Sequence, residues 1–252
     1  MITIKSEYEL SLMREAGKIV YETHKYLKPY IKPGITTGEL DKMAHDFILS
    51  KGATPSCLNY EGYPASICIS VNEEVVHGIP GKRKLKNGDI VTLDICACYK
   101  GYHGDSAWSY AVGEISKEKA YLLMHTENAL YEGLSKVKDG VYLGDVSNAI
   151  EEYANKHKLG VVRELVGHGI GSNLHEDPEV PNYGKKGTGI ILKKGMTIAV
   201  EPMLNLGTRN IYLLDDDWTI VTGDNKPSAH FEHTIIVTSD GYEILTGDDN
   251  YE

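Results

Sequence analysis

Cysteine is scarce in this 252-residue chain, with four residues in all and no Cys-x-x-Cys pair. The spacing of Cys57, Cys68, Cys96 and Cys98 suits neither a zinc module nor a disulfide framework, so they read as reduced thiols of a cytoplasmic protein. A basic surplus is also missing. Lys and Arg number 26 against 36 Asp and Glu, and the formal charge of -10 argues against a nucleic-acid partner. No apolar run is long enough to cross a bilayer, which excludes a membrane-spanning helix. The first twenty residues include Lys5, Glu7, Glu9, Arg14, Glu15 and Lys18, which is not the composition of a signal peptide. Low-complexity tracts, charge blocks and Pro/Gly/Ser linkers are absent, so the expectation is one compact α+β domain over residues 1–252.

What is present is an ordinary globular composition, 41% hydrophobic and 25% charged. Ser6 and Glu9 have the spacing of a capping box, followed by Leu12, Met13, Ala16, Ile19, Val20 and Leu27 at near-helical intervals. Pro33-Gly34 interrupts, and Thr36 with Glu39 opens a second helix that ends near Gly52. The stretches Ser66 to Val71 and Ile90 to Ala97 are rich in β-branched residues and predict strands. After Trp108 to Val112, helical periodicity returns from Lys117 to about Lys136 and from Leu143 to about Lys158. On these helices His24, His45 and His157 read as solvated.

The order of the first half thus restarts. Gly34, Gly38, Leu40, Met43, Ala44 and Phe47 correspond to Gly140, Gly144, Val146, Ala149, Ile150 and Tyr153 at a shift of 106. The strand ending in Asp94 corresponds to the strand ending in Glu201 at a shift of 107. Two segments with nearly one offset indicate a duplicated helix-helix-strand unit, with pseudo-symmetric halves of about 1–113 and 114–252.

Asp94 and Glu201 each end an apolar strand, a costly place for an acid unless it is paired or metal-bound. The second strand of each half supplies Asp105 and Glu232. Four carboxylates meeting at a pseudo-two-fold centre would repel one another by several kcal/mol in a low-dielectric site, and two divalent cations between them would relieve this. His168, between Gly167 and Gly169, adds a nitrogen donor. Such a set leaves coordination positions open for a bridging water, so two-metal hydrolysis is the expected chemistry. His77 and His175 lie in loop-like contexts and are candidates for polarising a scissile carbonyl. His103 and His230 precede the acids Asp105 and Glu232 by two residues and share their strand faces, whereas His233 points away and reads as structural.

Taken together, Cys57 to Pro64, Asn72 to Pro80, Leu93-Asp94, Gly104-Asp105, Gly167 to Gly171, Glu201-Pro202-Met203 and Glu232-His233-Thr234 resemble the methionine aminopeptidases of the bacterial, type I kind, over essentially the whole chain. The resemblance implies a pita-bread fold, antiparallel sheet covered by helices, and a cytoplasmic hydrolase that removes the amino-terminal methionine of nascent polypeptides ahead of a small second residue. It implies that Asp94 holds one ion and His168 with Glu201 the other, that Asp105 and Glu232 bridge both, and that Glu201 accepts the proton of the attacking water. His175 would meet the scissile carbonyl, and His77 the amide of the second residue. Cys57, Tyr60, Tyr63, Cys68, Leu174 and Trp218 would line the methionine pocket, and Asn72 with Ser228 match a monovalent-cation site. The ions could be Co, Mn, Fe or Zn. Nascent chains, at or away from the ribosome, would be the partners of a monomer, with no membrane or nucleic acid involved.

Leu174 stands where the family often has an aromatic residue, and Asp217 where glycine is common before Trp218. Two other readings compete. Xaa-Pro aminopeptidases and prolidases would use the same five ligands but usually carry a further amino-terminal domain. Non-catalytic pita-bread binding modules have lost metal ligands that are intact here.

Overall fold

A computed structural model describes residues 2–248. The first half begins with α1 (Glu7–Leu27) and α2 (Thr37–Ser50) and continues through β1 (Thr54–Pro55), β2 (Cys68–Val71), β3 (Glu74–Val76), β4 (Ile90–Tyr99) and β5 (Tyr102–Ala111). Both helices start on the capping boxes expected of them. The Ser6 hydroxyl accepts from the Glu9 N–H and the Glu9 carboxylate accepts from the Ser6 N–H, and Thr36 and Glu39 repeat the arrangement. Each box satisfies two backbone donors that the first turn leaves without partners. The strand expected from Ser66 begins at Cys68 instead, because the N–H groups of Ser66 and Ile67 donate to Asp41 Oδ1 rather than to a neighbouring strand.

The second half has α3 (Lys117–Leu134) and α4 (Leu143–Lys156), then β6 (Gly160–Val161), β7 (Gly167–Gly169), β8 (Glu176–Val180), β9 (Thr197–Val200) and β10 (Met203–Asn205). It closes with β11 (Ile211–Leu213), β12 (Ile220–Thr222), β13 (Ser228–His230), β14 (His233–Val237) and β15 (Tyr242–Ile244). Every strand pair is antiparallel. In the first half β4 lies between β1 and β2 and also pairs with β5, and in the second a five-stranded sheet runs β15-β14-β9-β7-β8.

Backbone hydrogen bonds and bridges recur at the matched positions. The Gly34 N–H donates to Leu85 O, and the Gly140 N–H to Leu192 O. Gly38 donates to Gly81 O, and Gly144 to Thr188 O. Thr36 bridges to Lys84 as Tyr142 bridges to Ile191. Gly34 and Gly140 both have positive φ, at 100° and 84°, the backbone region that glycine enters at least cost. One apolar core joins α1 and α2 to β2 and β4, and a second joins α3 and α4 to β9 and β14. A smaller cluster takes Met13 and Cys96 from the first half and Ile170 and Ile236 from the second, and the site lies there.

His24 departs from the solvated reading. It is fully buried, its ring stacked on Trp108 at 4.5 Å, with Nε2–H donating to Ser106 O and Nδ1 accepting from the Tyr110 hydroxyl. His45 and His157 are half-buried, bonded to Ser66 Oγ and to the Tyr121 hydroxyl. Among the described residues, no helix is long and apolar enough to cross a membrane.

Candidate active site

Strand register brings the acids together. In the β4–β5 ladder Asp94 lies opposite Ala107 and Asp105 opposite Cys96, with side chains two apart on one strand sharing a face. In the second half Val200 pairs with His233 and Met203 with His230, so Glu201 and Glu232 sit at the same level, where β9 passes into β10 and β13 into β14. His168 is held in the middle of β7 between two glycines, and its Nδ1–H donates to Gly169 O. That bond leaves Nε2 free to face the acids, 3.7 Å from Asp105 Oδ2 and 3.6 Å from Glu201 Oε1.

All five residues expected to form the centre therefore converge. Three groups of donors, each with ligand atoms within 4.8 Å of one another, overlap as a chain: Asp94, Cys96 and Asp105; Asp105, His168 and Glu232; Glu201, His230 and Glu232. Asp105 and Glu232 each belong to two groups. Among the described residues no Lys or Arg pairs with any of the four carboxylates.

Burial, then the charges of Asp105 and Glu201, pushes Asp94 well above the usual carboxylate range. Burial and the same neighbours do this to Glu232. Burial also opposes ionisation of Asp105, but the His168 imidazole 3.7 Å away and the Cys96 thiol donor outweigh it and hold Asp105 low. Burial and mutual repulsion thus oppose ionisation of Asp94 and Glu232. Buried Glu232 Oε1 and both ring nitrogens of His230 have no hydrogen-bond partner among the described residues. Carboxylate oxygens and imidazole nitrogens are ordinary donors to divalent first-row metals, so the residues present fit such ions.

A cavity of about 140 Å³ opens on the centre and is lined by all six expected pocket residues. Cys57, Cys68 and Leu174 give it apolar, polarizable surface. Tyr63 is fixed by its hydroxyl donating to Gly78 O and by an edge contact with Trp218 at 5.1 Å. Tyr60 bonds through its hydroxyl to His175 Nδ1 at 2.8 Å, which orients that imidazole. His175 stands edge-on to His168, and His77 edge-on to Trp218. Burial lowers both His77 and His175, which favours neutral rings near pH 7. Asp217 has a φ of 63°, so the position where the family often has glycine does lie in the left-handed region.

His77, His168, His175 and Glu201 also line a second, open groove of about 670 Å³ that runs past Tyr102 and Glu176. Asn72 and Ser228 are not among the residues that line the site cavity. The Ser228 N–H donates to Asn72 O, and Asn72 Oδ1 accepts from the Lys119 ammonium at 2.8 Å. His103 is turned to Ser56 Oγ. Cys96 also belongs to one of the converging groups, which its Cys-x-Cys spacing does not reveal, although strand alternation places it on the face of Asp94.

The chain matches metallopeptidase family M24 over residues 11–239. It is 54% identical over 246 residues to methionine aminopeptidase 1 of Bacillus subtilis (strain 168), covering 98% of this chain and 99% of that one. It is 50% identical over 246 residues to a methionine aminopeptidase of Clostridium perfringens, with the same coverage. The crystal structure of methionine aminopeptidase from Rickettsia prowazekii superposes with a TM-score of 0.96 at 45% identity, over 98% of this chain and all of that one. The fold is accordingly the pita-bread fold of those enzymes, and the chain belongs to metallopeptidase family M24, among its bacterial methionine aminopeptidases.

Proposed function

We propose that this chain removes the amino-terminal methionine from polypeptides as a dinuclear metallohydrolase, acting as one catalytic domain over residues 1–252. The single observation that carries the reading is that one cavity joins the thioether-sized pocket to the whole carboxylate-imidazole set. Its lining comes from both halves, so neither half contains the site alone.

In this reading Asp94 would hold one ion and His168 with Glu201 the other, with Asp105 and Glu232 within reach of both. When bound, such ions lower the pKa of a water and polarise a carbonyl oxygen. The chain's own groups do the rest. Cys57, Cys68, Leu174, Tyr63 and Trp218 seat the methionine side chain and exclude water from it. Glu201 accepts a proton from the attacking water. His175, steadied by Tyr60, faces the scissile carbonyl oxygen, and His77 faces the amide of the second residue. Both rings border the pocket and the open groove, which gives the rest of the polypeptide a way out.

The test is hydrolysis of Met-Ala-Ser against an Xaa-Pro peptide by protein supplied with Mn, Co, Fe or Zn, with and without a chelator. Chelator-sensitive release of methionine from Met-Ala-Ser alone is expected. Preference for the Xaa-Pro peptide would reassign the substrate, and metal-independent inertness would favour a binding module.

A further inference from the structure

Cys96 stands two residues after Asp94 on β4 and directly opposite Asp105 on β5. Its Sγ donates to Asp105 Oδ1 at 2.9 Å and lies 3.8 Å from Asp94 Oδ1. The residue is 3% exposed and lines the site cavity. A sulfur bonded at about 2.3 Å and a carboxylate oxygen at about 2.1 Å, on one ion with angles of roughly 90–109°, lie about 3.1–3.6 Å apart. The two observed separations bracket that spacing. The ligand atoms of all three side chains lie within 4.8 Å of one another.

We propose that Cys96 Sγ is a direct donor to the ion on the Asp94 side, giving that position a sulfur ligand which the position at His168 and Glu201 lacks. The inference rests on the dinuclear reading above. As the sulfur-metal bond forms, the thiol proton leaves to solvent, one per chain, and Asp105 Oδ1 exchanges an S–H donor for the ion. Oxygen donors suit Mn and Mg, whereas a thiolate favours Zn, Cd and Co, so the Asp94 position becomes the thiophilic one. Among the described residues Cys57 and Cys68 belong to no converging donor group, which makes them the natural controls.

The full-length protein is titrated with Co(II) under anaerobic conditions and followed by absorbance. Visible d–d bands report occupancy, and a near-ultraviolet sulfur-to-cobalt charge-transfer band reports a thiolate ligand. The near-ultraviolet band is expected in the wild type, in Cys57→Ser and in Cys68→Ser, and its loss is expected in Cys96→Ser. Cobalt uptake without that band, or a band that survives Cys96→Ser, overturns the proposal and leaves the dinuclear reading standing. Absence of cobalt uptake overturns both. Should Cys96→Ser not fold, X-ray absorption of the zinc-loaded wild type decides: a sulfur shell near about 2.3 Å supports the proposal, and oxygen and nitrogen shells alone refute it.

Discussion

The imidazole Nε2 of His230 lies 3.3 Å from Glu201 Oε2 and 3.9 Å from Glu232 Oε2, buried and without a hydrogen-bond partner among the described residues. A buried polar group left unpaired is costly, so the ring is positioned to donate once one carboxylate turns toward it. Replacing His230 with Ala should lower divalent-metal affinity by about 10–100-fold, the usual effect of removing a partner that orients a ligand. His230→Gln, which retains a donor, should recover part of the loss. Calorimetric metal titration measures both variants, and wild-type affinity in His230→Ala would remove the orienting role.

Glu201→Gln changes charge and little volume. If Glu201 is both ligand and proton acceptor, methionine release should fall by at least about 10²–10⁴-fold, the range associated with general-base groups. The thermal melt should stay close to that of the wild type, because the residue touches the site rather than either apolar core. Turnover near the wild-type rate would sink the assignment.

The most legible features depend on neighbours close in sequence or on repetition. The boxes at Ser6/Glu9 and Thr36/Glu39 are complete within four residues, so both helix starts can be read directly. Gly34 and Gly140 can be matched because each must make the same turn, and the structure gives them equivalent hydrogen bonds. Acids that follow apolar runs stand out because an unpaired buried charge is costly, although β4 continues past Asp94 to Tyr99 and only Glu201 follows a strand end. The burial of His24 is different, since Trp108, Ser106 and Tyr110 decide it from more than eighty positions away. The contact between Cys96 and Asp105 depends on the register of β4 with β5, which alternation within one strand does not fix.

Lys119 reaches from the start of α3 to Asn72 Oδ1 at 2.8 Å and Gly88 O at 2.6 Å. The chain's own ammonium thus meets the oxygens around Asn72, where the family resemblance suggests an alkali cation. The wild type should melt at the same temperature in K⁺, Na⁺ and tetramethylammonium chloride of equal ionic strength. Lys119→Met should lose on the order of 1 kcal/mol and melt roughly 2–4 °C lower, with partial recovery in K⁺ or Na⁺. Specific stabilisation of the wild type by K⁺ or Na⁺ would show instead that Lys119 does not substitute for the ion.

His24 and His233 give the fold an acid-side limit of its own. Burial pushes His24 down to about 3 and His233 to about 4, from an ordinary 6.5. Between the ordinary and the folded values the unfolded chain binds protons that the folded chain does not, so stability rises with pH across that window and falls on acidification below about 6.5. Each group contributes up to about 1.4 kcal/mol per pH unit within its window. His24→Gln can keep an N–H directed at Ser106 O while removing one titration. It should be less stable than the wild type at neutral pH, and its urea midpoint should fall less steeply from about pH 6 to about pH 4. The raised Asp94 and Glu232 work in the opposite sense, since the folded chain there binds protons that the unfolded chain releases, and taking the difference between the two proteins cancels them. Parallel pH curves for wild type and variant would mean that His24 is protonated in the folded protein as readily as in the unfolded chain.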